Sequence, residues 1–408
     1  MNLLVTDKCT NHCPYCFAST EMGKTQMLNH LSRENIETIL EFIRKGEPNF
    51  SINIIGGEPF LYNDLGYLLE RLTSEPNFKD AVVFTGGIFK TEKLNELKPF
   101  LKKISFLFNL NEREVYKNEK EYQLVLNNLE KGLELGIHTN IGINIYRTDF
   151  NYQEILNVCY DYGIEQLRWT VACPQINPSP DVKVLYPSVY PMVSKRIMQF
   201  LEKAYEMKIS TYLDCPVPKC FFTTEELGRI SLIQPHVASA INTCAPVVDI
   251  APDLSVIRCF AFSEVERKKI TDFNKLDEAE KYFERNIDEL YAKPQLYEKC
   301  NDCEFAINRT CYGGCMVNTP NAIGKTEKVE FKLKEAFEAI QKRDFELSEQ
   351  ILSNINRKDA SIAFLTAHSF YQKGDMKNAK RWALITINRS KTDDFKLKAK
   401  NLLENISS

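Results

Sequence analysis

Cys9, Cys13 and Cys16 fall within eight residues, in the spacing C-x3-C-x2-C, only three residues after the apolar run Leu3-Leu4-Val5. Three thiols this close can wrap one metal centre. A closed structural zinc site takes four ligands, usually from paired C-x2-C units. A cubane iron-sulfur cluster has four irons, so three cysteines leave one iron without a protein ligand. A small molecule can occupy that iron. A zinc knuckle or three buried thiols is the alternative; the spacing and the strand-then-loop context favour the cluster.

The residues around this loop alternate short β-rich runs with amphipathic stretches up to residue 187. Strands are expected at Leu3–Thr6, Ser51–Ile55, Ala81–Thr85, Ile104–Asn109, Asn140–Ile145 and Gln166–Val171. Helical patterns lie between them, near Ser32–Arg44, Asp64–Leu72, Thr91–Leu101, Glu119–Leu135 and Tyr152–Tyr162. Ile36, Ile39, Leu40 and Ile43 show the helical spacing in the first of these. Strand and helix in repeated alternation give an α/β fold with a parallel sheet. Reactive groups are then expected at the C-terminal ends of the strands. Gly56-Gly57-Glu58-Pro59 follows the second strand in that position. Its glycines let a backbone approach a ligand closely, and Glu58 offers an acceptor for an ammonium group. Thr85-Gly86-Gly87, Asn109, Asn144 and Arg168 lie at or near other strand ends. Cys173 follows the sixth strand and is a candidate hydrogen-atom donor, or a packed small residue before Pro174.

Pro174, Pro178, Pro180 and Pro187 mark a connection, and a helix near Val189–Met207 leads into a cysteine-rich region. Eight cysteines lie there: Cys215, Cys220, Cys244, Cys259, Cys300, Cys303, Cys311 and Cys315. Eight thiolates would fully ligate two cubane clusters, and a zinc ribbon is the alternative. Tight clustering of most of the thirteen cysteines, with no secretory signal read at the N-terminus, points away from a disulfide framework and toward the cytoplasm. Cys159 sits in a helical pattern and reads as a core thiol. The net charge of −3 argues against a general nucleic-acid binder, and no apolar run has membrane-spanning length.

From residue 326 onward there is no cysteine and almost no strand signal. This part carries sixteen Lys and Arg against twelve Asp and Glu, whereas the preceding residues carry 36 against 43. A basic tail beside an acidic body would let a peptide with an acidic leader dock there. Arg343-Asp344-Phe345 and Gly374-Asp375-Met376 recur at a 31-residue period, followed by Ser348 and Ala379. That period is close to the tetratricopeptide repeat, with fewer than the three copies usually needed to stand alone.

The cysteine loop together with Gly56–Pro59 resembles the signature of the radical S-adenosylmethionine (SAM) enzymes. The resemblance implies a partial (β/α)6 TIM barrel over residues 1–187. It also implies a [4Fe-4S] cluster on Cys9, Cys13 and Cys16, whose open iron chelates the amino and carboxylate groups of SAM. Tyr15 occupies the aromatic place near the adenine. Gly56, Gly57, Glu58 and Pro59 would hold the amino group, and Asn109 and Asn144 would touch the ribose and carboxylate. Residues 188–325 resemble the SPASM extension of peptide- and protein-modifying members. Cys244-x14-Cys259 with Ala251–Cys259 matches its first half, and Cys300 to Cys315 its second. Leu254 replaces the usual turn glycine, the Cys303–Cys311 spacing is long, and no cysteine follows Cys315. By family logic one auxiliary cluster would use Cys244, Cys259 and Cys315, and another Cys300, Cys303 and Cys311. Cys215 and Cys220 would complete one each, or one cluster would keep an open iron. The implied enzyme is an oxidoreductase that modifies a precursor peptide or protein, with crosslinking ahead of epimerisation, Ser or Cys oxidation and small-molecule dehydrogenation. A metal-stabilised scaffold without catalysis is the remaining reading. An electron donor of the flavodoxin or ferredoxin type is implied, and the helices of residues 326–408 are expected to cap the molecule or to bind the peptide. Asp249, Asp253 and Glu264 lie near the auxiliary cysteines as candidate bases.

Overall fold

In the computed structural model the residues described are 1–16, 30–46, 49–173, 182–242, 244–245, 247–263, 265–292, 300, 302–318, 333, 336–353, 360–390 and 393–407. Pro174, Pro178, Pro180 and Glu264 lie outside them. The chain forms two compact bodies, Met1–Leu185 with Pro191–Ala322, and Tyr186–Tyr190 with Ile323–Ser408. The division expected at residue 187 therefore does not separate two bodies. The cysteine-rich region completes the sheet that the first half begins.

That sheet runs through β1 (Asn2–Leu4), β2 (Phe50–Ile55), β3 (Phe78–Thr85), β4 (Ile104–Asn109), β5 (His138–Ile145), β6 (Gln166–Val171) and β7 (Ser210–Leu213), all parallel. On the other side of β1 it continues with β8 (Asp249–Ile250), parallel to β1, then β9 (Ser255–Ile257) and β10 (Arg267–Lys269), both antiparallel. The helices α1 (Arg33–Arg44), α2 (Leu65–Thr73), α3 (Glu119–Glu134), α4 (Tyr152–Asp161) and α5 (Tyr190–Glu206) supply the crossovers. Ser32 caps α1 by accepting from the Asn35 amide at 3.1 Å. Thr91–Phe100 forms 3-10 turns rather than the expected α-helix, and Pro99 within it has no amide to donate.

Alternation along the strands gives the sheet two unlike faces. One face carries Leu3, Ile52, Ile54, Val83, Phe106, Phe108, Ile141, Leu167 and Trp169, all at most 1% exposed. The other carries Asn53, Ser105, Asn109, Asn140, Asn144 and Arg168 among its apolar residues. Parallel sheets covered on both sides are usually apolar on both faces. The polar second face marks the inside of the partial barrel as the place for a site.

Two devices in the second half were not legible in the sequence. Leu254, at the β8–β9 turn, has φ +64°, the left-handed conformation that the expected glycine would adopt freely. The edge strand β7 is closed by a side chain. Gln234 Oε1 accepts from the Thr211 amide at 2.9 Å, and its Nε2 donates to the Ile209 carbonyl at 3.1 Å.

In the second body the helices Phe345–Ser353, Ala360–Lys373, Met376–Arg389 and Asp393–Ser407 follow one another. The 31-residue period is geometric as well as sequential. Arg343 and Gly374 both have left-handed φ, +60° and +87°. Asp344 and Asp375 then accept from the Leu347 and Asn378 amides, each at 3.1 Å. Ser348 and Ala379 are both fully buried. No described helix is long and apolar enough to cross a membrane.

Gln234→Ala strips the Thr211 amide in β7 and the Ile209 carbonyl just before it of their partner. It is expected to destabilise the chain by about 2 kcal/mol, read as a lower urea midpoint; an unchanged midpoint would show that β7 does not depend on this side chain.

Candidate active site

The cysteine loop is held by the turn after β2. Gly57 N donates to Thr6 O at 2.6 Å, and Glu58 N to Lys8 O at 2.8 Å. A Cβ on Gly56 would lie 2.6 Å from Thr6 O, and one on Gly57 would overlap Lys8 O. The two glycines therefore admit the backbone that leads into Cys9, a closer use than the ligand approach expected of them. Gly86 plays the same part for the Asn11 side chain, which a Cβ there would overlap.

Glu58 is fully buried beneath the loop. Its carboxylate accepts from Thr85 Oγ1 at 2.7 Å, Gly86 N at 2.9 Å, Phe60 N at 3.3 Å and Asn11 Nδ2 at 3.3 Å. Burial pushes its pKa up to about 7 despite those donors. Expected as an acceptor for a ligand ammonium, Glu58 has its lone pairs engaged by the chain and ties three loops together. Pro59 opens a 3-10 turn and is buried.

Tyr15 is buried, donates to Asn111 Oδ1 at 2.7 Å, and packs on Tyr146 with ring centroids 5.5 Å apart. Asn111 Nδ2 in turn reaches Cys13 Sγ at 3.4 Å. Asn111 thus links the aromatic residue to the middle cysteine. Sequence reading missed it because it lies two residues past the end of β4. Asn144 hydrogen-bonds Tyr15 and lines a cleft with Leu110, Asn111, Tyr146 and Phe150. Asn109 Oδ1 is buried and accepts no hydrogen bond among the described residues. A buried acceptor of this kind at a strand's C-terminal end fits a ligand donor.

Burial pushes Cys9 up to about 11 and raises Cys13, with the Asn111 amide opposing it at Cys13. Such thiols ionise when a cation compensates them. Among the described residues no three His, Cys, Asp or Glu close on a single ion. Around a cubane each thiolate binds its own iron, so the sulfurs stand further apart than the ligands of one ion. Cys9, Cys13 and Cys16, with no disulfide between them, have the donor chemistry for that group.

The extension's cysteines divide in two. Cys315 N donates to Pro216 O at 2.9 Å, which brings Cys315 beside the Cys215 loop. Asn242 holds the Cys244 segment by donating to Thr310 O at 3.1 Å and accepting from Tyr312 N at 2.6 Å. Charges at Cys244, Cys259 and Cys315 oppose one another's ionisation, and burial is the largest cause raising Cys244, to about 12, and Cys259. Cys173, two residues past the end of β6, lies 3.9 Å from Asn318 Nδ2. In the second group Cys303 N reaches Cys300 O at 3.4 Å, and Cys311 N reaches Phe305 O at 2.9 Å. Lys219, next to the exposed Cys220, lies 5.0 Å over the Phe305 ring. Cys159 is fully buried on α4. Neither Asn242 nor Asn111 carries a sequence signal, whereas Gly313-Gly314 before Cys315 does.

The cysteine loop also adjoins the extension. Cys16 and Ile55 pack against the buried cluster of Leu4, Ile257 and Phe260, the last being the neighbour of Cys259. On the same sheet face, Asn53 Nδ2 donates to Asn2 Oδ1 at 2.8 Å, and Asn2 Nδ2 to Asp249 Oδ1 at 2.7 Å. Burial pushes the Asp249 carboxyl up to about 7. Asp253, by contrast, is a turn residue paired with Lys269 at 2.9 Å.

Gly57→Ala is expected to lower the iron bound per chain after anaerobic reconstitution, with Gly66→Ala, whose Cβ meets nothing within 4 Å, as the unaffected control. Equal iron in both variants would contradict the account of the turn. Glu58 and Asp249 keep protons in the folded protein up to about pH 7 that the unfolded chain releases near their ordinary values of 4.5 and 3.8. Their contribution to stability therefore falls as pH rises through that window and levels off above it. Asp249→Asn should flatten the fall in unfolding free energy between about pH 4 and pH 7, by on the order of a few kcal/mol. Parallel curves for the two proteins would refute the burial effect.

Residues 3–159 match the Radical SAM superfamily model. The chain is 22% identical over 288 residues to a GTP 3',8-cyclase of Aliarcobacter butzleri, covering 68% of this chain and 85% of that one. A solved structure of anSMEcpe with bound AdoMet and the Cp18Cys peptide matches with a TM-score of 0.57 at 16% identity, covering 86% of this chain and 99% of that one. SuiB of Streptococcus suis bound to the precursor peptide SuiA matches at 0.54 and 16% identity, covering 80% and 74%. At these identities the structural likeness is one of fold. Over residues 3–159, where the three-cysteine loop rests on the Gly-Gly-Glu-Pro turn, the chain carries a radical SAM domain, the domain of an enzyme.

Proposed function

We propose that this enzyme modifies a ribosomally made peptide or protein by forming a thioether or carbon–carbon crosslink. Cys9, Cys13 and Cys16 hold the catalytic cluster, and Tyr15, Asn109 and Asn144 shape the place for SAM. When bound, the cluster with SAM would supply a 5′-deoxyadenosyl radical able to remove a hydrogen atom from the substrate. Joining two residues removes two hydrogens from the peptide, one as an atom and the other as a proton and an electron. A proton acceptor and an electron acceptor are therefore both required. Asp249, with its pKa near neutrality and its place on the inner sheet face, is assigned the proton. The buried thiols of the extension are assigned the auxiliary cluster that takes the electron.

The observation that carries this reading is the packing of Cys16 against the buried cluster of Leu4, Ile257 and Phe260, whose Ile257 and Phe260 flank Arg258 and Cys259. The likeness in fold to SuiB bound to the precursor peptide SuiA supports a peptide substrate. The helical repeats of the second body are assigned the docking of that peptide. An electron donor of the flavodoxin or ferredoxin type completes the cycle. A second reading, a small nucleotide-like substrate, is favoured by the sequence likeness to GTP 3',8-cyclase.

Anaerobically reconstituted protein with SAM and dithionite is expected to release 5′-deoxyadenosine, and Cys13→Ala to abolish it. Addition of a cysteine-bearing peptide encoded beside this chain should raise the yield and give a product two hydrogens lighter by mass. Stimulation by GTP and not by the peptide would overturn the peptide reading in favour of the second.

A further inference from the structure

The backbone of Asn111 is pinned on both sides. Just before it, the Leu110 amide extends the β4–β5 pairing by donating to Gly142 O at 2.9 Å. Just after it, the buried Glu112 carboxylate accepts from the Asn151 amide at 2.8 Å and pairs with Arg147. Between them the main-chain N–H of Asn111 donates to Tyr116 Oη at 3.1 Å. The side chain is fixed as firmly. Tyr15 Oη donates to Asn111 Oδ1 at 2.7 Å, which leaves Nδ2 turned to Cys13 Sγ at 3.4 Å. The reverse orientation would set Oδ1 against a thiolate, acceptor against acceptor. Tyr15 also hydrogen-bonds Cys13, yet its hydroxyl has one proton, and the contact with Asn111 Oδ1 takes it. Asn111, Tyr15 and Tyr116 are all at most 8% exposed, so bulk water does not compete for these groups.

A neutral thiol is a weak acceptor, and a buried amide N–H aimed at one is poorly used. Aimed at a thiolate, the same N–H makes a charge-assisted hydrogen bond. The arrangement therefore suits an ionised, ligating sulfur. We infer that Asn111 is a positioning residue of the catalytic site: its Nδ2–H donates to the ligating sulfur of Cys13 and raises the midpoint potential of the cluster, and Tyr15 keeps the amide turned that way. This rests on the reading that Cys9, Cys13 and Cys16 hold a cluster. A donor to a ligating sulfur draws charge from it, so the reduced, more negative state gains most. Tyr15 then has two tasks, one beside the adenine and one behind the sulfur. A residue 98 positions along the chain from Cys13 sets how readily the site takes an electron from its donor protein.

The test uses full-length protein reconstituted anaerobically with iron and sulfide, and follows the cluster whose EPR signal changes on adding SAM. Iron per chain, circular dichroism and an EPR-monitored redox titration without SAM are measured. Asn111→Leu, of similar size without a donor, is expected to keep its iron and secondary structure and to lower the midpoint. It should leave on the order of tenfold less reduced cluster at a fixed potential. Asn111→Asp, whose carboxylate still accepts from Tyr15 but turns an oxygen to the sulfur, should lower the midpoint further. Tyr15→Phe keeps the amide but releases it, and should give a smaller drop than Asn111→Leu. An unmoved midpoint in Asn111→Leu and Asn111→Asp, at full iron, would overturn the inference. A drop in Tyr15→Phe as large as that in Asn111→Leu would make the hydroxyl the donor and overturn it too. Loss of iron from Asn111→Leu with Tyr15→Phe unmoved would reduce Asn111 to a structural residue. If the unaltered protein holds no cluster that responds to SAM, the underlying cluster reading fails instead.

Discussion

The structure depends on two backbone hydrogen bonds, Gly57 N to Thr6 O and Glu58 N to Lys8 O. They lay the turn after β2 across the segment after β1, so that the cysteine loop leaves the sheet at one fixed point. No side chain could be tolerated at Gly57, because Lys8 O occupies its space. Beneath this contact the buried Glu58 gathers donors from the cysteine loop, its own turn and the end of β3. A buried carboxylate is expensive to keep unless its lone pairs are filled. Here four donors fill them, and they are the parts that must stay in register for three thiols to face one centre.

A second consequence is that the three-cysteine loop and the cysteine-rich extension are built on one sheet. β8 pairs in parallel with β1 at Asn2 and Leu3, so the extension is built onto the strand that launches the cysteine loop. Leu4, Ile55, Ile257 and Phe260 then pack as one layer under Cys16. The distance between the two thiol sites is thereby set by side-chain packing along a continuous sheet. A hinge between separate domains is not needed for it.

Much of this was legible in the sequence because it is local. The strand β4 begins and ends where its alternation predicts, at Ile104 and Asn109, and the spacing of Cys9, Cys13 and Cys16 with Gly56–Pro59 singled out the site. The 31-residue period of the tail survives as matching left-handed residues and aspartate caps, even though Arg343 stands where Gly374 does. What sequence reading missed is long-range. β7 joins the sheet beside β6 after a long crossover, and β8 inserts next to β1 from nearly 250 residues away. Asn111, Asn242 and Gln234 bind backbone or sulfur that only the fold brings near them. Cys173 is reached by Asn318, 145 residues further along the chain, a contact that only the fold makes.

The central claim is that the loop on the Gly-Gly-Glu-Pro turn carries a cluster with one iron left open for SAM. Electron–nuclear double resonance on the reduced cluster, with SAM labelled in its amino nitrogen and carboxylate oxygens, tests this directly. The account predicts hyperfine coupling from both labels to the cluster of Cys9, Cys13 and Cys16. Iron bound at these thiols with neither label coupled to it would contradict the account.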